Sequence, residues 1–294
     1  MKTLIKNGLL IDPANQVQAY LNLILEDGKV VAVTEEEPEA DRVIDATGKV
    51  VAPGFIDIHM HEDPVKDGKI EFCIFDAMLR MGVTTAVGGN CGINVYDPVK
   101  YLDMVEKDGA PVNVMLFAGH QYFREAAGAL DKYAPVTKEQ QEHMKKGLEK
   151  ALEAGCVGIS YGLRYVPGTG RDEFLDTASC CEKEHRMISA HVRDDEDRVF
   201  GAVAEVAEAG KLYNIPVQVS HIGSMAGFGQ MKQLLRQVDG YRMNGIDVAC
   251  DCYPYFAFST RIGATTYDDG WLERYHCDYS ACQLTEGKYK GQRC

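Results

Sequence analysis

Met187-Ile188-Ser189-Ala190-His191, the helix-period stretch Asp195–Tyr213, and Pro216-Val217-Gln218-Val219-Ser220-His221 together write one complete β/α/β unit. Both apolar runs are short, and both end on a histidine. The same alternation extends outward. Upstream lie the runs Phe55–His59, Val83–Gly88, Val112–Phe117 and Val157–Tyr161, and downstream Ile246–Cys252. Helix-period segments Ile70–Met81, Thr137–Ala154 and Gly229–Asn244 fall between them. Thr137-x-x-Gln140 has the spacing of a capping box, with Gly155 closing the same helix. Asp194, Asp195, Glu196 and Asp197 read as an acidic first helical turn, which the helix dipole favours. Seven β/α alternations predict an α/β fold with a parallel sheet and helical crossovers. Closed on itself, that sheet is a (β/α)8-type TIM barrel with seven of its eight strands present; left open, it is a doubly wound sheet. The alternation stops near residue 253, and Arg261–Cys294 offers no further β/α unit.

Residues 1–52 follow a different grammar. Leu21–Leu25, the turn Glu26-Asp27-Gly28-Lys29 and Val30–Val33 predict a hairpin, and Val43–Val51 repeats the pattern around Gly48. The expected organisation is a small N-terminal β module over 1–52, part of a composite β-sandwich, followed by a barrel over 53–294 that is incomplete at its C-terminus.

Composition narrows the function classes. The 294 residues are 46% hydrophobic and 26% charged, the balance of a globular protein rather than a disordered one. Acidic residues outnumber basic ones 44 to 31, for a net charge of −13, opposite to the balance of a nucleic-acid binder. No window approaches the roughly 18 apolar residues of a membrane span, and the first residues lack a signal-peptide core. The expectation is a cytoplasmic protein with no membrane or nucleic-acid partner; oligomeric state is left open. The ten cysteines include no C-x-x-C pair, so most are expected to be buried thiols.

In a β/α barrel, chemistry sits at the C-terminal ends of the strands. Those ends supply His59 and His61 (Asp57-Ile58-His59-Met60-His61), Cys91 (Gly89-Asn90-Cys91-Gly92), His191 and His221. Residues i and i+2 of an extended strand face the same way, so His59 and His61 can chelate together. A lone strand-end histidine is usually a hydrogen-bonded core group, and a lone cysteine a buried thiol. Four of eight histidines on one rim, with a thiolate among them, form instead a donor set that suits zinc.

Gly54-Phe55-Ile56-Asp57-Ile58-His59-Met60-His61 after a small β module resembles the amidohydrolase superfamily. Gly89-Asn90-Cys91-Gly92, Gly162-Leu163-Arg164-Tyr165-Val166-Pro167-Gly168, the two histidine strand ends and Asp251-Cys252-Tyr253-Pro254-Tyr255 with Ser259-Thr260 resemble its N-acyl-D-amino-acid deacylase (D-aminoacylase) family. The likeness covers residues 1–260. It implies a zinc-dependent hydrolase of linear, non-peptide amides acting on small N-acyl-D-amino acids. It also implies roles: Cys91, His191 and His221 hold one tight Zn2+, and His59 and His61 form a weaker second position. Tyr165 polarises the scissile carbonyl, and Tyr253 and Ser259 meet the substrate carboxylate. Arg193 and Arg164, at loop ends, could recognise a carboxylate bidentately or pair within the acidic protein. Two departures stand out. The family's general acid/base, an aspartate on the eighth strand, has no counterpart in 1–294, and Asp251 is a poor geometric substitute. Gly223 stands where the family pattern has a lysine. The chain is therefore expected to be a fragment of a longer enzyme or a truncated, inactive metal-binding homologue. A dihydroorotase- or hydantoinase-type cyclic-amide hydrolase is the nearest enzymatic alternative; it usually needs a bridging lysine, which the Cys91 loop argues against.

Overall fold

The computed structural model describes residues 1–293, and the chain divides into two compact units, Met1–Phe55 and Ile56–Cys294.

The first unit holds two sheets. One is built from β1 (Lys2–Lys6), β4 (Asn22–Glu26), β5 (Lys29–Thr34) and β6 (Arg42–Asp45), in the order β5-β4-β1-β6; the other from β2 (Leu9–Asp12), β3 (Val17–Tyr20) and β7 (Val50–Val51), in the order β3-β2-β7. The expected hairpin is β4–β5, closed by Asp27 and Gly28, both at positive φ as a tight two-residue turn requires. The second expected hairpin is not one. Its two arms lie in different sheets, with β6 parallel to β1 and β7 parallel to β2. The cause is Asn7-Gly8, which breaks the chain between β1 and β2, so the segment running beside it must break at the same level. It does so at 46–49, where Asp45 accepts from the amide and hydroxyl of Thr47. Gly8 is needed there: a Cβ would lie 2.6 Å from Val51 Cγ2 and 2.9 Å from Ala46 Cβ.

The second unit carries a seven-stranded sheet: β8 (Phe55–Asp57), β11 (Val83–Gly88), β12 (Asn113–Gly119), β13 (Gly158–Gly162), β14 (Met187–His191), β15 (Val217–Val219) and β16 (Val248–Cys250). A two-stranded ribbon of β9 (Val65–Lys66) and β10 (Lys69–Ile70) projects after the first. The spatial order β16-β15-β14-β13-β12-β11-β8 never reverses, and the pairings from β11 to β16 are all parallel. A doubly wound sheet needs a reversal point; this sheet has none and curls as a TIM barrel does. The crossovers carry α1 (Ile74–Arg80), α2 (Pro98–Asp108), α3 (His120–Ala126), α4 (Lys138–Glu153), α5 (Arg171–Ala178), α6 (Val199–Tyr213), α7 (Ile222–Met225) and α8 (Met231–Met243).

The capping box forms as read: Gln140 N donates to Thr137 Oγ1 (3.2 Å) and Thr137 N to Gln140 Oε1 (2.9 Å). The helix it starts buries Met144, Leu148, Ala151 and Leu152, an i, i+4, i+7, i+8 stripe. Leu148, Ala151 and Leu152 pack into one core with Leu116, Ile159, Phe174 and Ile188. Burial of each such Leu, Ile or Phe side chain is worth about 1.5–3 kcal/mol. The acidic stretch differs from expectation. Glu196–Arg198 is a single 3-10 turn before α6, and the buried Asp195 instead pairs with Arg274 Nε (3.0 Å) and accepts from the Tyr275 hydroxyl. Arg274 ends α9 (Trp271–Arg274), and no extended β/α unit follows β16 among the described residues. The cysteines also depart from expectation. Of the nine described, only Cys91, Cys156 and Cys181 are buried; Cys73 caps α1, Cys180 lies in a 3-10 turn, Cys250 ends β16, and Cys252, Cys277 and Cys282 lie in the long final segment. No helix among the described residues is long and apolar enough to cross a membrane.

Candidate metal centre

The rim begins where β8 ends. The strand stops at Asp57, two residues short of the expected His59, because the Asp57 carboxylate caps the chain by accepting from the His59 amide (3.0 Å). Beyond it Met60 N still donates to Val87 O (3.3 Å), so His59 and His61 stay at the sheet's C-terminal edge, ring centroids 6.1 Å apart. The next two residues are buried acids that anchor this segment. Glu62 accepts from Gly89 N (2.7 Å), Val95 N (3.1 Å) and Asn94 Nδ2 (3.2 Å). Asp63 accepts from the amides of Cys73, Ile74 and Phe75 at 2.8–3.1 Å, capping α1 from a distance.

Cys91 follows β11 on a tight turn. Gly89, Cys91 and Gly92 all have positive φ, and a Cβ on Gly92 would lie 2.8 Å from Gly162 N. Cys91 is the costly member, a side-chain-bearing residue held at φ +56°. Asn90 beside it is fully buried and joins three strands. Its Nδ2 donates to Val87 O (2.9 Å), Ile58 O (3.1 Å) and Met60 O (3.4 Å), and its Oδ1 accepts from Ser189 Oγ (3.1 Å). His191 closes β14. His221, past β15, repeats the device of Cys91 with φ +34°.

These side chains converge. Cys91 Sγ lies 3.5 Å from His59 Nε2 and 3.5 Å from His221 Nε2, and the His191 and His221 ring centroids are 4.5 Å apart. Two trios, His59–His61–Cys91 and Cys91–His191–His221, each bring one donor atom per residue within 4.8 Å of one another. Burial pulls the imidazoles of His191 and His221 down, helped by the neighbouring histidines, to about 4 for His221. Desolvation and the charges of His59 and Arg261 lower His61 as well, although the residue sits exposed on the rim. Burial also draws on His59, but Asp251 and Cys91 outweigh it and lift that ring to about 10. His191 Nδ1 is buried with no hydrogen-bond partner among the described residues. Such an atom is costly unless something binds it. The imidazoles of His191 and His221, kept neutral by burial beside a sulfur and with His191 Nδ1 unpartnered, fit a divalent cation that accepts N and S donors.

Of the other sequence candidates, Tyr165 reaches the centre. Its ring centroid is 4.4 Å from that of His191, its amide donates to Gly162 O (2.9 Å), and burial together with Cys91 pushes its phenol above the ordinary range. Tyr253 is half-buried beside Ser224, whose hydroxyl is 3.0 Å from His221 Nδ1. Ser259 is exposed and lines a cavity of about 680 Å³ together with Thr260, Arg261 and Trp271. Arg193 does not reach the centre: its guanidinium pairs bidentately with Glu205 at 2.8–3.2 Å. Arg164 lies 3.5 Å from Asp194. At Gly223 a Cβ would meet Cys252 Sγ at 2.6 Å. Sequence reasoning missed Arg261, and weighed Asp251 only as a substitute general base. Arg261 lies close enough for its charge to act on both His61 and Tyr165. Asp251 stands 3.3 Å from His59 Nδ1. A signal existed for Asp251, a strand-end acid in line with the histidine ends. For Arg261, in a loop without period, there was none.

Residues 42–162 match a family model described as the amidohydrolase family. The N-acyl-D-glutamate deacylase of Alcaligenes xylosoxydans xylosoxydans is 31% identical over 283 residues, covering 87% of this chain and 57% of the relative. The crystal structure of the N-acyl-D-glutamate deacylase of Bordetella bronchiseptica, complexed with zinc and a phosphonate mimic of the tetrahedral intermediate, is 30% identical. It superposes with a TM-score of 0.76 over 86% of this chain and 58% of that one. The chain belongs to the amidohydrolase superfamily, in its D-aminoacylase family. A dihydroorotase of Elusimicrobium minutum is 42% identical over a shorter stretch, 226 residues, covering 74% of this chain and 48% of the relative. The chain thus spans somewhat over half the length of the deacylases it matches.

Proposed function

We propose that this chain carries the metal centre of a zinc-dependent hydrolase of linear amides. Its substrates are N-acyl-D-amino acids, cleaved to a carboxylate and a D-amino acid. The observation that carries the reading is the meeting of Cys91 with His191 and His221 from three separate strand ends. Cys91, His191 and His221 hold the tight Zn2+; His59 and His61, sharing Cys91, hold a weaker second ion. When bound, zinc polarises the acyl carbonyl and acidifies a water molecule.

The remaining work falls to the chain. Tyr165 keeps its proton at neutral pH, because burial disfavours the phenolate, and so donates a hydrogen bond to the oxygen that gains charge as water adds to the acyl carbon. The C–N bond then breaks and the amine leaves with a proton. Asp251 is not the group that moves that proton: Oδ1 accepts from the His221 amide and Oδ2 from Gln218. Tyr253, Ser259 and Arg261 receive the substrate carboxylate, with Arg261 in the role that Arg193 cannot take while paired to Glu205. The same reading takes residues 1–52 as part of a composite β-sandwich and 53–294 as the barrel, in a cytoplasmic enzyme.

The test is elemental analysis of the purified chain and its Cys91→Ala variant after dialysis against zinc. Tightly held zinc in the first and none in the second is expected; equal zinc in both overturns the assignment. The dihydroorotase likeness favours a second reading, cyclic-amide hydrolysis. Assaying N-acetyl-D-glutamate beside dihydroorotate separates the two, since turnover of the cyclic amide alone sinks the deacylase reading.

A further inference from the structure

The Asp251 carboxylate touches one member of each donor trio. Its Oδ1 accepts from the His221 amide (2.6 Å) and lies 3.3 Å from His59 Nδ1; its Oδ2 accepts from Gln218 Nε2 (2.8 Å). Its backbone is tied to the same corner, with Asp251 N donating to Val219 O (3.2 Å) and Ile222 N donating to Asp251 O (2.9 Å). The carboxylate therefore starts from a fixed point.

We propose that Asp251 is a positioning residue that aims His59 and His221 at the shared sulfur of Cys91, so that one side chain sets the geometry of both trios. The inference rests on the metal-centre reading above and goes beyond it in giving Asp251 a role that is neither ligand nor general base. Two features require such a residue. His221 holds φ +34°, a conformation a β-carbon disfavours, and it persists only if its surroundings restrain it. The bond from its amide to Asp251 is that restraint. His59 must present Nε2 to the cation, which the Asp251 carboxylate 3.3 Å from Nδ1 favours by drawing that edge of the ring toward itself. Both Nε2 atoms then stand at the same 3.5 Å from Cys91 Sγ.

Cobalt tests this without catalysis, because a thiolate-bound Co2+ gives a sulfur-to-metal charge-transfer band. The full chain, Asp251→Asn and Asp251→Ala are titrated with Co2+, after circular dichroism and metal-free melts establish that each is folded. Asparagine retains an oxygen for the His221 amide but brings no charge to His59. Asp251→Asn is therefore expected to keep the band and to bind the second equivalent at least ten-fold more weakly. Asp251→Ala is expected to weaken both equivalents by about ten- to a hundred-fold. Variants that titrate like the parent, or an asparagine variant that loses the first equivalent and keeps the second, overturn the inference while leaving the metal centre intact. A parent chain without the band overturns the centre itself. If the alanine variant does not fold, the asparagine variant alone decides.

Discussion

The two halves of the donor cluster are built in opposite ways. Cys91, His191 and His221 hang from the interior of the sheet: Cys91 and His191 are buried, and Cys91 and His221 occupy left-handed corners that other side chains restrain. His59 and His61 lie beyond a three-residue edge strand, with His61 exposed, and depend on the acids around them, Asp57, Glu62, Asp63 and Asp251. One half is preorganised mainly by packing and strain, with Asp251 restraining only its His221 corner; the other rests on carboxylates throughout. A packed site keeps its geometry without an ion, whereas a site held by carboxylates is only as firm as those charges. The first should therefore bind more tightly.

The largest effect comes from the residue both halves share. Cys91→Ala should abolish tight binding and weaken the second position together, leaving metal near background by elemental analysis. A variant that keeps one full equivalent would show the halves to be independent. Next comes Asn90, which ties the His59–His61 segment to the Cys91 turn and to β14 through four hydrogen bonds. Asn90→Ala should cost about 3 kcal/mol, since it strands buried carbonyls. Urea unfolding measures that, and a loss of under about 1 kcal/mol would mean the two halves do not need this tie. Smaller again, His59→Ala should spare the first equivalent and remove the second, seen as a titration that ends at half the parent's stoichiometry. Loss of both would erase the distinction.

The sequence made the buried half more legible than the exposed one, for a physical reason. His191 and His221 end apolar runs whose period announces strands, and β14 has the expected bounds, Met187–His191. By its period the exposed half reads as an extended strand through His59, but it is a capped edge that stops at Asp57, because a short carboxylate competes for the backbone amide. Hydrophobic period carries no sign of such local capture. The same limit explains Val43–Val51, whose arms belong to separate sheets, and Asp195, whose carboxylate is claimed by Arg274 and Tyr275 from eighty residues away. Alternation reports which face of a strand is buried, and long-range polar partners are invisible to it. Arg193 shows that in miniature: a loop arginine beside a catalytic rim looks available until Glu205, one helix later, takes it.

The smallest effect tests whether carboxylates hold the exposed half. Asp63 is buried, and its acid is kept below the usual range. Burial opposes that, but the Cys73 thiol and the amides of Phe75, Ile74 and Cys73 outweigh it. A carboxyl depressed in the folded state contributes stability that is fully present above its unfolded value of about 3.9 and is lost as pH falls through the lower folded value. Asp63→Asn, which keeps an acceptor but no charge, should therefore cost about 1–2 kcal/mol between pH 6 and 8. That gap should not vary across this range and should narrow below about pH 4, where the parent loses the same charge. Denaturant midpoints at pH 7 and pH 3 give both numbers. If the parent–variant gap is equal at the two pH values, charge is not what fixes the segment after His61, and the contrast between a packed half and a carboxylate-held half loses its footing.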